Sequence, residues 1–402
     1  MIRMFKVKKV LLVMLLLIFI ACLVIFSGKT IEAANNGIRL WLNIVFPSLF
    51  PFLVASSLLS KSGIIKKLGK LLEPVMRPFF NVPGCGSFPL AMGITSGYPV
   101  GAKLTAELRE ENYISKEEAE RLLTFTNNSG PLFIIGAVAV GMFRNHKLGF
   151  LLLASHILAG ITVGMIFKHY KGEKKNNGSV MNKVKQWNAK KPGTENFGKI
   201  LGEAVKNAVT TLLQIGGYII FFSVLICLLN ETGIISGLTW IFYRLLNCYG
   251  IDKSIIESIL NGFFEITAGT SLAGSSGSGL IQRATAAAFI LGWAGLSVHS
   301  QVAGIISSTD ISLRPYLKGK FLQGVIAAVY TYIMLKLFYP VFNNEMPVFY
   351  ESGFMDAFSL QEVFVTSLMY LGFSLMILLV SSLAGKMLIK KIQSGQKAAK
   401  KA

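Results

Sequence analysis

Four short stretches rich in Gly, Ser, Thr, Asn and Pro interrupt otherwise apolar sequence. They are Gly93-Ile94-Thr95-Ser96-Gly97-Tyr98-Pro99, Thr126-Asn127-Asn128-Ser129-Gly130-Pro131, Glu265-Ile266-Thr267-Ala268-Gly269-Thr270-Ser271 and Gly295-Leu296-Ser297-Val298-His299-Ser300-Gln301. Pro131 lacks an amide donor and pushes Gly130 away from helical geometry. Non-helical backbone at membrane depth is tolerated only where it is buried in protein or lines a watery cavity. Each break also frees helix ends, whose exposed amides favour an anion. The chemistry on offer is therefore recognition of a small acid. The candidate binding residues are Thr95, Ser96, Tyr98, Asn127, Asn128, Ser129, Thr267, Thr270, Ser271, His299, Ser300 and Gln301. Taken singly, each hydroxyl is as well explained by helix packing or a bond to its own backbone.

Glu265 stands apart, because an intramembrane carboxylate costs a few kcal/mol unless it is paired or protonated. It is expected to face a cavity, either as a proton or sodium coupling site or as the charge partner of Lys103. His299 titrates in a range where protonation alongside an anionic solute is reasonable. His156, in a cleaner apolar run, reads as a helix-contact residue, and His146 and His169 sit at loop ends. A catalytic alternative is an intramembrane serine protease built on Gly274-Ser275-Ser276-Gly277 and His299, which would need nucleophile and base in contact. A Gly/Ser-rich turn explains the same residues, so no enzyme is expected.

These stretches must be held by membrane-spanning elements. Of 402 residues 52% are hydrophobic and only 15% charged, which argues against a water-soluble domain. A span takes about 20 apolar residues. Clear candidates are 10–27, 40–60, 148–167, 205–229, 320–342 and 364–388, and two interrupted ones are 122–143 and 284–306. That gives an all-α polytopic membrane protein with about eight transmembrane helices. The first run follows Arg3, Lys6, Lys8 and Lys9 and reads as an anchor over 1–34 in preference to a cleaved signal peptide.

The net charge of +20 would suggest nucleic acid in a soluble chain, but the basic residues fall between apolar runs. With the N-terminus inside, the cytoplasmic segments 1–9, 61–121, 168–206, 307–320 and 386–402 hold 32 of the 40 Lys and Arg. Both termini are thus expected in the cytoplasm, with the lipid bilayer and no nucleic acid as partner. Cys22, Cys85, Cys227 and Cys248 show no ligand-like spacing, so neither a metal nor a cofactor is expected.

The lysine-rich segment 171–200 reads as a cytoplasmic linker between two halves, 35–170 and 201–342, followed by an outer loop, a last helix and a basic tail over 343–402. Ser62-Gly63-Ile64-Ile65 is echoed 170 residues later by Thr232-Gly233-Ile234-Ile235. Each half has, in order, a full span, an amphipathic stretch, a broken apolar segment, an interrupted span and a clean span. The charge count gives the halves opposite orientations, so the broken segments become two re-entrant hairpins in an inverted repeat. That is the recurrent plan of secondary transporters, with the solute at the repeat interface.

Phe46-Pro47-Ser48-Leu49-Phe50-Pro51-Phe52, Gly93 to Ala102, Asn127-Asn128-Ser129-Gly130-Pro131 and Gly292 to Gln301 together resemble the nucleoside recognition, or Gate, domain family. Within it the likeness is to the branch of sporulation integral membrane proteins, over roughly residues 35–342. The resemblance implies a fold similar to concentrative nucleoside transporters. For the sporulation branch it implies movement of dipicolinate, a flat dianion, from the mother cell across the outer forespore membrane, with Tyr98 stacking on its ring. The coupling ion is left open between H+ and Na+, as is assembly into a homo-oligomer. A nucleoside or other small-solute transporter and a non-transporting assembly factor are the remaining alternatives.

Overall fold

The computed structural model describes residues 2–61, 64–171 and 197–342, and every element in them is helical. Helix α1 (Ile2–Ile25) turns sharply into α2 (Ser27–Leu40), the two axes meeting at 96°. A π-helical turn, Trp41–Val45, carries α2 into α3 (Phe46–Lys61). The segment 28–39, expected to be an outer loop, is therefore helical, and the second expected span begins at Ser27 instead of Leu40.

Contacts with α10 (Phe197–Glu231) explain the early start. The Lys29 ammonium meets Glu231 at 2.5 Å, and the Trp41 indole N–H donates to the Leu212 carbonyl at 2.9 Å. Between them a Cβ on Gly37 would stand 3.1 Å from the Ile220 backbone, so the two helices touch main chain to main chain. A polar stretch such as this gains its helicity from the neighbour it packs on. The pairings run in opposite directions along the two chains, so the runs 27–61 and 197–231 lie antiparallel. They correspond at the 170-residue offset of the sequence echo, which is how equivalent helices of an inverted repeat should lie.

The remaining elements follow in the same order in each half. The first has α4 (Ile64–Phe80), a hairpin of α5 (Ser87–Ser96) and α6 (Val100–Glu110), a broken pair of α7 (Lys116–Thr126) and the π-helical α8 (Leu132–Met142), and α9 (His146–Phe167). The second has α11 (Ile234–Leu246), a hairpin of α12 (Lys253–Phe264) and α13 (Ile266–Ser275), a broken pair of α14 (Leu280–Trp293) and α15 (Gly295–Ile306), and α16 (Leu313–Phe342).

By length and composition four runs are able to span a bilayer: His146–Phe167, Phe197–Glu231, Leu280–Ile306 and Leu313–Leu337, with the bent pair at the N-terminus as a fifth. The expected count of eight is thus not reached among the described residues. The candidate 122–143 is divided between α7 and the short α8, and 364–388 and most of the linker 171–200 lie outside the described residues.

Each hairpin packs its break on the break of the following pair. Gly97, with φ +85°, lies so close to Gly130 that a Cβ would come within 2.8 Å of the Gly130 amide nitrogen. In the second half Gly295, with φ +78°, sits equivalently on the backbone of Phe264 and Glu265. Two apolar cores surround these junctions. One gathers Leu72, Met76, Leu122 and Phe125 with Leu212 and Val302; the other gathers Ile134, Leu148, Ile290 and Leu335. Tyr98 packs against both.

Polar pairs fasten one end of the bundle. A capping box of Ser115 and Glu118 starts α7, and Glu118 also receives Arg77 at 2.6 Å. Arg109 grips Asp310 through two bonds of 2.8 and 3.0 Å, tying the first hairpin to the α15–α16 connection. That hydrogen-bonded guanidinium holds the Asp310 carboxyl below its ordinary pKa.

Candidate functional site

The first break holds a buried and connected polar cluster. The α7 helix ends at Thr126, and the fully buried Asn127 turns the chain with φ −92° and ψ 89°. Asn127 Nδ2 donates to Tyr316 Oη at 2.9 Å, and its carbonyl receives Lys320 Nζ at 3.0 Å. Asn128 Nδ2 satisfies the Phe125 carbonyl at 2.8 Å, one of those orphaned when α7 stops, while its Oδ1 accepts from Gln323 Nε2 at 2.9 Å. The Ser129 amide donates to His156 Nε2 at 3.1 Å, and its hydroxyl to the Leu291 carbonyl at 3.4 Å. His156 is therefore more than a packing residue: it meets an amide that the break leaves without a helical partner.

The second break is narrower than the sequence suggested. Only Ala294 and Gly295 leave the helical region, with φ +74° and +78°, and α15 already runs through His299, Ser300 and Gln301. These three point to different neighbourhoods. His299 is buried in a T-shaped contact with Trp293, ring centroids 4.3 Å apart, and its Nδ1 lies 3.3 Å from Tyr316 Oη. Tyr316 thus joins the two breaks, holding Asn127 of one half and His299 of the other. The Nε2 of His299 and the Oδ1 of Asn127 are buried without a partner.

Ser300 and Gln301 instead line a cavity of about 460 Å³ between α10 and α15, shared with Thr211, Gln214, Tyr218, Gly304 and several apolar side chains. Its volume is within the range of small-molecule sites. The Gln301 Oε1 is buried and unpartnered, and Lys103 Nζ donates to the lining Thr211 Oγ1 at 2.9 Å, which sets an ammonium one hydrogen bond behind the cavity wall. No acidic residue lines the cavity.

The hairpin residues contribute less. Glu265 caps its own helix, Oε2 accepting from the Ala268 amide at 2.8 Å. Its carboxylate thereby occupies the α13 N-terminus, one of the four ends expected to attract an anion, and Lys103 is bonded elsewhere. Thr95 and Thr270 return their hydroxyls to the carbonyls of Ala91 and Ile266 within their own helices. Ser96 Oγ is buried without a partner, Tyr98 and Thr267 are half-buried and Ser271 is exposed. The protease pairing does not form: Ser276 Oγ bonds Ser254 and Ser278, whereas His299 meets Tyr316 through Nδ1 and nothing through Nε2.

The structure therefore distributes the twelve candidate residues over a buried cluster, an open cavity and two hairpins, where a single converging pocket was expected. The cluster also contains three residues not singled out from the sequence: Tyr316, Lys320 and Gln323. Their spacing of four and then three puts them on one face of α16, and a polar stripe at that interval opening an apolar run was the available signal. Lys320, counted among the cytoplasmic charges, is completely buried.

Two hairpins, two broken helices and runs long and apolar enough to cross a bilayer define an all-helical integral membrane protein with polar groups at its breaks. The nucleoside recognition (Gate) family model matches residues 42–145, within the first half. Over 358 residues the chain is 41% identical to the sporulation integral membrane protein YlbJ of Bacillus subtilis (strain 168), covering 86% of this chain and 88% of that protein. The chain belongs to the family of this sporulation integral membrane protein. Among solved structures, CNTnw in an inward-facing substrate-bound state aligns with a TM-score of 0.44 and 16% identity, covering 79% of this chain and 84% of that one. An outward-facing form of CNTnw aligns with a TM-score of 0.46 and 15% identity, covering 79% and 85%.

Proposed function

We propose that the chain is a secondary transporter for a small organic dianion and that the solute is dipicolinate, moved from the mother cell across the outer forespore membrane. In this reading residues 35–170 and 201–342 are the two repeats, 171–200 is the linker, and both termini face the cytoplasm. The observation that carries the reading is the cavity between α10 and α15. It presents Ser300, Gln301, Thr211 and Gln214, has the Lys103 ammonium bonded to its Thr211, and has no carboxylate to repel an acid. Membership of a sporulation family supports the setting. A nucleoside solute is the second reading, favoured by the description of the matched family.

Liposomes containing the purified chain test this directly. Labelled dipicolinate should accumulate and uridine should not compete. Lys103→Met should weaken apparent affinity roughly 10- to 100-fold, the worth of one charge-assisted hydrogen bond of about 1.5–3 kcal/mol. Competition by uridine would favour the nucleoside reading. No movement of either solute would leave the assembly-factor role, and unchanged affinity in Lys103→Met would remove the proposed cavity site.

A further inference from the structure

Where a transmembrane helix is interrupted, the last carbonyls of its first half lose their partners and carry partial negative charge. In transporters built on broken helices, such carbonyls are where a coupling cation is coordinated. The end of α7 is an interruption of this kind, and a cation is already there. Lys320 Nζ donates to the Asn127 carbonyl at 3.0 Å and to Gln323 Oε1 at 2.7 Å. Gln323 in turn reaches Asn128 Oδ1 at 2.9 Å and the His156 carbonyl at 3.3 Å, so the ammonium rests on two neutral oxygens, one of them on an amide that is itself tied to the first break and to α9.

Two features distinguish this lysine from an ordinary buried ion pair and from a solute-binding residue. Among the described residues no carboxylate lies within ion-pair distance of it. It is also fully buried, and neither of its two oxygen partners belongs to a residue lining the cavity. An ammonium removed from water without a counter-ion is costly, and only what it returns to the fold can retain it. Here the return is the neutralisation of the freed α7 terminus.

We infer that Lys320 is a built-in cation: its ammonium takes the place at the end of α7 that a metal ion would otherwise fill, so this break holds together without bound sodium. The inference goes beyond the transporter reading, and because its test reads stability it can fail while dipicolinate transport stands, or stand while that fails.

The test is thermal unfolding of the purified full-length chain in detergent, in sodium chloride and in choline chloride at equal ionic strength. Wild type should show the same midpoint in both salts. Lys320→Met should have a lowered midpoint in choline that sodium restores in a saturable way, whereas Lys320→Arg, which keeps the charge, should remain indifferent to sodium. A saturable sodium stabilisation of wild type, or a Lys320→Met midpoint that is equally low in both salts, would overturn the inference. If Lys320→Met does not fold in either salt, Gln323→Glu and Gln323→Met decide. A carboxylate beside a charged ammonium should give the higher midpoint of the two, and a lower midpoint for Gln323→Glu overturns the proposal.

Discussion

Replacing Gly97 by alanine should separate the tip of the first hairpin from the first break. Gly97 adopts φ 85° and ψ −175°, a region used almost only by glycine. Holding another residue there costs about 1–3 kcal/mol. The added methyl would also stand 2.8 Å from the Gly130 nitrogen and 3.1 Å from its Cα. Both are backbone atoms of a segment fixed by Asn127, Asn128 and Ser129, so relief requires the hairpin to move, at roughly a further 1–3 kcal/mol. The expected loss is therefore about 2–6 kcal/mol. Gly202→Ala is the control, since nothing lies within 4 Å of the new methyl in α10. It should gain up to about 1 kcal/mol from helix propensity. Chemical unfolding of both purified variants in micelles measures the difference. Equal stability of Gly97→Ala and Gly202→Ala would refute the close hairpin-to-break contact.

Tyr316→Phe removes the hydroxyl shared by Asn127 and His299 and leaves a buried amide donor unpaired, so it should cost about 1–3 kcal/mol by the same unfolding assay. Gly216→Leu should disturb the antiparallel helix pair, because even a Cβ there would be 2.7 Å from the Trp41 indole; a loss of about 1–3 kcal/mol and a shift in Trp fluorescence are expected. Arg109→Ala should cost no more than about 1 kcal/mol at neutral pH, since the pair is partly exposed. The Asp310 carboxyl is depressed in the fold, so its contribution is present above the ordinary carboxylate pKa of about 4 and is lost as pH falls through the lower folded value. The stability gap between Arg109→Ala and wild type should accordingly close on acidification, and a gap that widens would contradict the pairing.

The interruptions were legible in the sequence because Gly, Pro and Asn have few other reasons to cluster inside apolar runs, and Gly130-Pro131 breaks the chain where expected. The repeat was legible from the order of element types and one four-residue echo. Two features were hidden. Residues 27–40 carry Lys29, Glu32, Asn35 and Asn36, a composition that reads as a loop until Glu231 and the Ile220 backbone are brought alongside. Lys320 begins an apolar run, a position where a lysine ordinarily reaches for the interface. Its burial depends on the carbonyl of Asn127, nearly two hundred residues away, and no local pattern encodes that meeting. His156 does contact another segment, as its place in an apolar run suggests, but a lone imidazole there does not announce the amide it will face.

The position of Tyr316 makes a single phenol a polar link between the halves. Its oxygen accepts from Asn127 Nδ2 and lies 3.3 Å from His299 Nδ1, a ring nitrogen that donates or accepts according to its tautomer. The Nε2 on the other side of the ring is buried without a partner. A polar group arriving beside His299 would act through that phenol on Asn127, so two breaks contributed by different halves would register a single arrival together.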